Sequence, residues 1–149
     1  MGSDRHLVIS SDCHAGLPAA KYREYMDPKY RDMFDIALPI QTQMTDMAEK
    51  VFLLKDVNDE WRSGIQEHLC GAWDYKKRIE VLNGDGIAGE VIFPDGITEQ
   101  NAPPFGAGLQ MPTKNVIAEL QWAGARAHNR WLAEMVSNNP ARHFGIAVC

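Results

Sequence analysis

The sequence has few cysteines, no long apolar run and no concentration of basic residues, and each shortage argues against a class of protein. Cys13, Cys70 and Cys149 are an odd number and form no CxxC pair, so we expect a reducing, cytoplasmic location rather than a disulfide framework. No apolar run reaches the roughly 18 residues of a membrane span, and the N-terminus lacks the pattern of a signal peptide. With a net charge of −5 and no basic stripe, neither nucleic acid nor a membrane is an expected partner.

What is present is the composition of an ordinary globular domain. Apolar residues make up 45% of the chain and charged residues 23%, close to average usage. A chain of 149 residues is long enough to bury a core of its own. We therefore predict one domain over residues 1–149 and no separate second domain.

The most informative motif is an Asp-x-His at the end of the first apolar run. Residues i and i+2 of a strand point to the same face, so Asp12 and His14 offer a carboxylate oxygen and an imidazole nitrogen to one point in space. These donors suit a divalent metal, zinc first, with manganese or iron as alternatives. The spacing fits equally well an aspartate that starts a turn beside a solvent-facing histidine.

The chain reads as β–α units with one long interruption. We predict a buried strand over 6–11, an irregular excursion over about 15–72 punctuated by Pro18, Pro28 and Pro39, and a helical stripe within it. That stripe places apolar residues at 40, 44, 47, 48, 51 and 54. It is typical of a helix packed on the outside of a core, which we favour, or of a lid or dimerisation element.

The second half alternates helix and strand. The pattern predicts a helix over about 74–82 with Asp74 as N-cap, a strand over 89–94, a long helix over 113–137, and a third strand beginning at His143. Alternation of this kind indicates parallel strands joined by helical crossovers. The GxGxxG of residues 84–89 follows a helix and precedes a strand, the reverse of a dinucleotide-binding loop, and we interpret it as a helix stop and turn.

Other polar residues are weaker candidates. Asp95 follows the second strand directly, where barrel active sites form, and Trp73 could line the same substrate pocket. His68 and Cys70 sit two residues apart but have no matching pair. We expect His128 and His143 to be structural, and Cys13 to point away from Asp12 and His14 as a buried thiol.

Four blocks of the chain together resemble the amidohydrolase-related (amidohydrolase-2) family. They are ISSDCHAG at 9–16, YREYMDPKYRD at 22–32, residues 78–94 around NGDGIAGEVIFP, and residues 129–147 around NRWLAEM and the later PAR. The resemblance implies a metal-dependent, distorted (β/α)8 barrel acting on a small-molecule substrate, with Asp12 and His14 as the first metal ligands. It also implies two further histidines and a late aspartate from later strands, the aspartate serving as general base.

Length restricts what the resemblance can cover. A (β/α)8 barrel takes about 250 residues, so we expect the chain to supply the N-terminal portion of one: about three parallel strands with a helical insertion after the first. The implied function is that of a metal-dependent hydrolase using metal-activated water on a C–N or C–O bond. A non-oxidative decarboxylase of the same family, and an inactive fragment or partner-completed subunit, stand as alternatives. A homo-oligomer is compatible with any of these.

Overall fold

The structure is a computed structural model that describes residues 6–52, 54–94, 101–107 and 117–149. These residues form strands β1 (Ile9–Ala15), β2 (Gly89–Pro94) and β3 (His143–Gly145). The α-helices are α1 (Arg31–Phe52), α2 (Lys55–Leu69), α3 (Tyr75–Gly84) and α4 (Ala118–Ser137). Short 3₁₀ helices cover Ala19–Glu24, Pro28–Tyr30, Cys70–Ala72 and Pro104–Gly106.

The strands form a parallel sheet in the order β1-β2-β3, which confirms the predicted α/β class. Helices α1 to α3 connect β1 to β2, and α4 connects β2 to β3. Each connection carries the chain back to the end of the sheet at which the previous strand began, as parallel pairing requires. β1 and β3 are the outer strands, and within the described residues each pairs on one side only.

Local signals place α3 and β2 where the sequence predicts them. The Asp74 side chain accepts hydrogen bonds from the backbone N–H groups of Lys76 and Lys77, as an N-cap does. Gly84 is the last residue of α3, and Gly86 adopts φ 71°, a left-handed conformation that glycine tolerates without strain. The glycine-rich segment therefore ends a helix and leads into a strand, as the sequence indicates.

The hydrophobic core lies between one face of the sheet, α4 and the segment after β1. Ile92, on the central strand β2, packs in this core, and α4 adds both small and large side chains to it at helical spacing. The 3₁₀ segment and the start of α1 close the cluster from the other side. The buried residues of this cluster are Ala15, Leu17, Tyr22, Met26, Tyr30, Phe34, Ile92, Ala123, Ala127, Trp131, Leu132 and Met135.

A buried ion pair joins α3 to the sheet. Arg78 donates from Nε and Nη2 to the two carboxylate oxygens of Glu90, at 2.6 and 2.8 Å. Its Nη1 donates to the carbonyl oxygens of His14 and Gly71, both at 3.1 Å. His143 of β3 adds a contact of 2.8 Å from Nδ1 to the same carboxylate, so one cluster connects all three strands.

The cluster keeps Glu90 ionised. Burial alone raises the pKa of this carboxyl, but the hydrogen bonds from His143 and Arg78 outweigh it and lower the pKa to about 2. A carboxylate so deeply buried is tolerated only because both of its oxygens are bonded to donors.

His128 is a buried structural residue, as expected. Its Nδ1 lies 2.9 Å from the hydroxyl of Tyr22, which also accepts a hydrogen bond from the backbone N–H of Leu17. Burial lowers the pKa of His128 to about 4, so the imidazole is neutral at pH 7. The pair links α4 to the segment that follows β1.

Strand boundaries differ from the prediction. β1 begins at Ile9 rather than at residue 6 and continues to Ala15, so Asp12 and His14 lie within the strand and not beyond its end. Nor is β1 a buried strand, because Ala15 is its one buried residue and the other six are half-buried or exposed. The third strand begins at His143 as predicted, is three residues long, and its pairing with β2 ends at Gly145.

Two helices also depart from expectation. α1 runs through Pro39 instead of breaking there; Phe34 before the proline packs in the core and Thr45 after it is buried. The stripe at 40–54 does not pack on the core: Ile40, Met44, Met47, Val51 and Leu54 are exposed, and only Ala48 is half-buried. α4 begins at Ala118, leaving Ile117 exposed as its N-cap; residues 113–116 lie outside the described part.

Among the described residues, no helix combines the length and apolar character needed to cross a lipid bilayer.

We predict that Glu90→Gln destabilises the fold by about 3 kcal/mol at pH 7, the usual cost of leaving one member of a buried ion pair uncompensated. The substitution removes the charge that faces Arg78 while preserving side-chain volume. Urea unfolding followed by circular dichroism measures the effect. Glu80→Gln is the matched control, since Glu80 pairs with Lys77 at the surface and is expected to change the free energy of unfolding by less than about 1 kcal/mol. Equal effects of the two substitutions would contradict a central role for Glu90.

Lowering the pH should destabilise the protein over a pH range that the titration of His128 determines. The folded-state pKa of about 4 lies below the ordinary value of 6.5, so this residue's contribution is complete above pH 6.5 and is lost as the pH falls towards 4. The expected loss is about 3 kcal/mol. Free energies of unfolding measured from pH 7 to pH 4 test this, and His128→Phe should flatten the slope. His68→Gln, which alters an exposed histidine, should leave the slope unchanged.

Candidate functional site

Asp12 and His14 lie together on β1, as their spacing predicts. Oδ1 of Asp12 is 3.5 Å from Nε2 of His14. Both side chains are accessible, Asp12 more so than His14, with exposed fractions of 82% and 41%. The pair therefore stands at the surface of the sheet, close to the carboxyl end of its strand, where parallel α/β folds place their binding sites.

The backbone of β2 sets the orientation of the His14 ring. Nδ1 of His14 lies 3.4 Å from the carbonyl oxygen of Pro94. A carbonyl can only accept, so this contact favours the tautomer with its proton on Nδ1 and leaves the Nε2 lone pair directed at Asp12. Histidine metal ligands are commonly oriented in this way by a backbone carbonyl. The Phe93 ring lies tilted beside the same imidazole, with ring centroids 6.1 Å apart and an interplanar angle of 38°.

The separation of the two donor atoms fits a metal ion. Zn–N and Zn–O bonds of about 2.1 Å at a tetrahedral angle place two ligand atoms about 3.4 Å apart, close to the 3.5 Å observed. Within the described residues, no group of three or more His, Cys, Asp or Glu side chains could hold a metal, so the site there consists of this pair.

The pair belongs to the face of the sheet that the helices leave open. Side chains alternate along β2 and β3, so Val91 and Phe144, which are partners in register, point away from buried Glu90 and His143. Phe144 and Ile146 remain exposed on this side. The metal-ligating candidates are thus surrounded by apolar side chains on a surface that the described helices do not cover.

A β-bulge in β1 determines which residues of the strand point to each face of the sheet. The register between β1 and β2 shifts between Ser10 and Cys13, which places Cys13 opposite Ile92 and His14 opposite Phe93. Cys13 consequently points to the covered side, where its Sγ lies 3.0 Å from the hydroxyl oxygen of Ser10. Burial raises the pKa of the Cys13 thiol, and the residue is half-buried rather than buried as predicted.

Two further candidates lie at the same end of the sheet. Trp73 directly follows the 3₁₀ helix Cys70–Ala72, and the Gly16 N–H donates to the Ala72 carbonyl at 3.1 Å, which brings this segment to the end of β1. Trp73 itself packs against the core. Asp95 lies outside the described residues, immediately after β2. The assignment of both to a substrate pocket stays a prediction.

The remaining weak candidates occupy other places. His68 lies on α2 and is exposed, and Cys70 begins the following 3₁₀ helix. His143 is buried against Glu90 and Tyr75, in the structural role expected of it. Asn101 is buried beside β1, with its Nδ2 donating to the Gly16 carbonyl at 3.0 Å.

Two residues that hold the site in place do not stand out in the sequence patterns. Arg78 donates to the backbone of His14, and Glu90 fixes Arg78. One signal was available: Glu90 interrupts an otherwise apolar strand, and a charged residue there must be paired. Its partners could not be inferred, because Arg78 and His143 are 12 and 53 residues away along the chain.

Comparison of the chain with models of protein families, with curated proteins and with solved structures finds no match. The resemblance to the amidohydrolase-related family therefore rests on the four motif blocks alone.

The opposite orientations of Cys13 and His14 can be tested with a thiol reagent. We expect exposed Cys149 to react with iodoacetamide first and Cys13 more slowly, because burial disfavours its thiolate. Peptide mass spectrometry at timed intervals reads the order of modification. Urea should abolish the difference. A Cys13 that reacts as fast as Cys149 in the folded protein would place its thiol on the open face.

Proposed function

We propose that this chain forms part of a metal-dependent hydrolase of the amidohydrolase superfamily, in which Asp12 and His14 are the first two ligands of a divalent cation. The observation that carries this proposal is the 3.5 Å separation of Asp12 Oδ1 and His14 Nε2 on the open face of a parallel strand. Zinc suits this donor set best, with manganese and iron as alternatives. The substrate is a small molecule with a hydrolysable C–N or C–O bond.

The sheet supports the barrel that this function implies. In a (β/α)8 barrel, helices cover one face of a parallel sheet and the other face lines the interior. The described strands have this division, with the Arg78–Glu90 cluster on the helix side and Asp12, His14 and Phe93 on the other. Further strands, from this chain or another, would complete the barrel and contribute the remaining ligands.

Each residue has a defined part in the proposed chemistry. The cation, when bound, supplies a water of lowered pKa and polarises the substrate. Asp12 contributes negative charge, and His14 contributes a neutral nitrogen held in orientation by the Pro94 carbonyl. Arg78 fixes the His14 backbone from the covered side. Phe93 beside His14 provides an apolar wall that limits water around the reacting group.

Two ligands are enough for weak binding, and this makes the proposal testable on the chain itself. We expect Mn²⁺ to broaden the amide NMR signals of residues 12–15 and 91–93 at millimolar metal and to leave other regions sharp. Asp12→Asn and His14→Gln should each weaken this local binding at least about tenfold, the loss that even an outer-shell partner can cause.

His68→Gln and Asp85→Asn are matched controls, because each removes an exposed group of the same kind elsewhere. Both should leave the broadening at β1 intact. Broadening centred on residues 68–70, or unaltered binding in His14→Gln, would reject the assignment of the metal to β1.

Enzymatic activity is assayed on a protein that also contains the strands needed to complete the barrel. Release of amine or alcohol from amides, esters and lactones supports the hydrolase. Release of CO₂ from aromatic carboxylic acids, with no hydrolysis, would instead identify the decarboxylase of the same family. Turnover that survives Asp12→Ala and His14→Ala together would exclude both.

A further inference from the structure

The exposed apolar stripe of α1 is long and continuous. Met33, Ile36, Ile40, Met44, Met47 and Val51 follow one another at intervals of three or four residues, and all are between 45% and 73% exposed. At 100° per residue these positions fall within an arc narrower than about 100°. Isolated exposed apolar residues are ordinary, but a contiguous stripe of this size on a 22-residue helix indicates an interface.

The opposite side of α1 is already occupied. Phe34 and Thr45 are buried against the rest of the chain. Gln41 donates to the Ala102 carbonyl at 3.1 Å and accepts from the Phe105 N–H at 3.2 Å. On a third side, Arg62 of α2 pairs with Glu49 at 3.1 Å. These contacts fix the rotation of α1 about its axis, so the stripe cannot turn inward.

The order of residues along the stripe is symmetric about its midpoint near residue 42. If a second α1 lies antiparallel, Met33 faces Val51, Ile36 faces Met47 and Ile40 faces Met44 of the other copy. The same pairs recur in reverse on the other half. A two-fold interface requires this kind of self-complementarity, in which residue i contacts j and j contacts i.

Charge follows the same symmetry. Asp32 and Lys50 are exposed near opposite ends of α1 and, at helical spacing, lie on the same flank of the stripe. A two-fold axis perpendicular to two antiparallel helices brings equal flanks together, so Asp32 of each copy meets Lys50 of the other. A parallel arrangement would instead place like charges level with each other.

We infer that this surface joins two copies of the chain through antiparallel packing of their α1 helices. The exposed area of the six stripe residues is on the order of 600 Å² per copy, so the pair would bury about 1,200 Å², the lower limit of specific interfaces. Leu54, exposed just after α1, extends the contact at each end. The dimer forms at micromolar concentration and does not depend on the proposed metal site.

Sedimentation velocity of the 149-residue chain over a range of micromolar concentrations tests the inference. We expect a monomer–dimer equilibrium, and we expect Met44→Glu, which buries a carboxylate at the centre of the contact, to raise the dissociation constant about 30-fold or more. Phe144→Glu is the matched control: Phe144 is 54% exposed against 56% for Met44, but it lies on the open face of the sheet.

The two substitutions separate the alternatives. Dimerisation lost in Met44→Glu and retained in Phe144→Glu supports the α1 interface. The reverse result would assign association to the sheet, and a wild-type chain that stays monomeric at 100 times the expected dissociation constant would overturn the inference. Circular dichroism confirms that each variant keeps its helix content.

A charge exchange tests the antiparallel orientation. Asp32→Lys alone should weaken the dimer because the introduced lysine faces Lys50 of the other copy, and Lys50→Asp alone should do the same. An equimolar mixture of the two single variants should regain wild-type affinity as a heterodimer. Because each substitution opposes the dipole of α1, recovery on mixing cannot come from a more stable helix. Failure of the mixture to recover would reject antiparallel packing.

Discussion

The fold depends on one guanidinium group. Arg78 reaches from α3 to both carboxylate oxygens of Glu90 on β2, to the His14 carbonyl on β1 and to the Gly71 carbonyl before α3, while His143 of β3 binds the same carboxylate. A planar, permanently charged group with five donors can satisfy this set, whereas a lysine could not reproduce the two-point contact with Glu90. Because Arg78 fixes the backbone of His14, the buried cluster on one face of the sheet determines where the imidazole stands on the other.

The two faces of the sheet thus have different physical characters and separate tasks. The covered face gains its stability from close packing and from an ion cluster in which both carboxylate oxygens of Glu90 are bonded, an arrangement that tolerates little change. On the open face, Asp12 and His14 stand 3.5 Å apart among half-exposed apolar side chains. The bulge between Ser10 and Cys13 maintains this division. It accommodates one extra residue in β1, so that Cys13 lies opposite Ile92 on the covered face and His14 stays in register with Phe93. The accessible polar pair and the buried ion cluster therefore lie on opposite faces of the same sheet.

The sequence predicted those features that arise from neighbouring residues. The N-cap at Asp74, the helix stop at Gly84–Gly86 and the pairing of Asp12 with His14 each follow from spacings of a few residues. The Arg78–Glu90–His143 cluster depends on contacts between distant elements, which periodicity does not encode. The prediction that the α1 stripe packs on the core was wrong for a related reason. A helical pattern shows that one face of a helix is apolar, but it does not show whether that face contacts the chain's own core or another surface. Here Gln41 and Phe34 fixed the opposite side.

Exposure is what distinguishes the candidate site from the cluster beneath it. Glu90 keeps its charge through buried hydrogen bonds that leave no position for a ligand. Asp12 has the opposite arrangement, because its carboxylate is 82% exposed and lies 3.5 Å from Nε2 of His14. If a divalent cation binds there as proposed, each further oxygen or nitrogen donor brought to the open face would strengthen its binding.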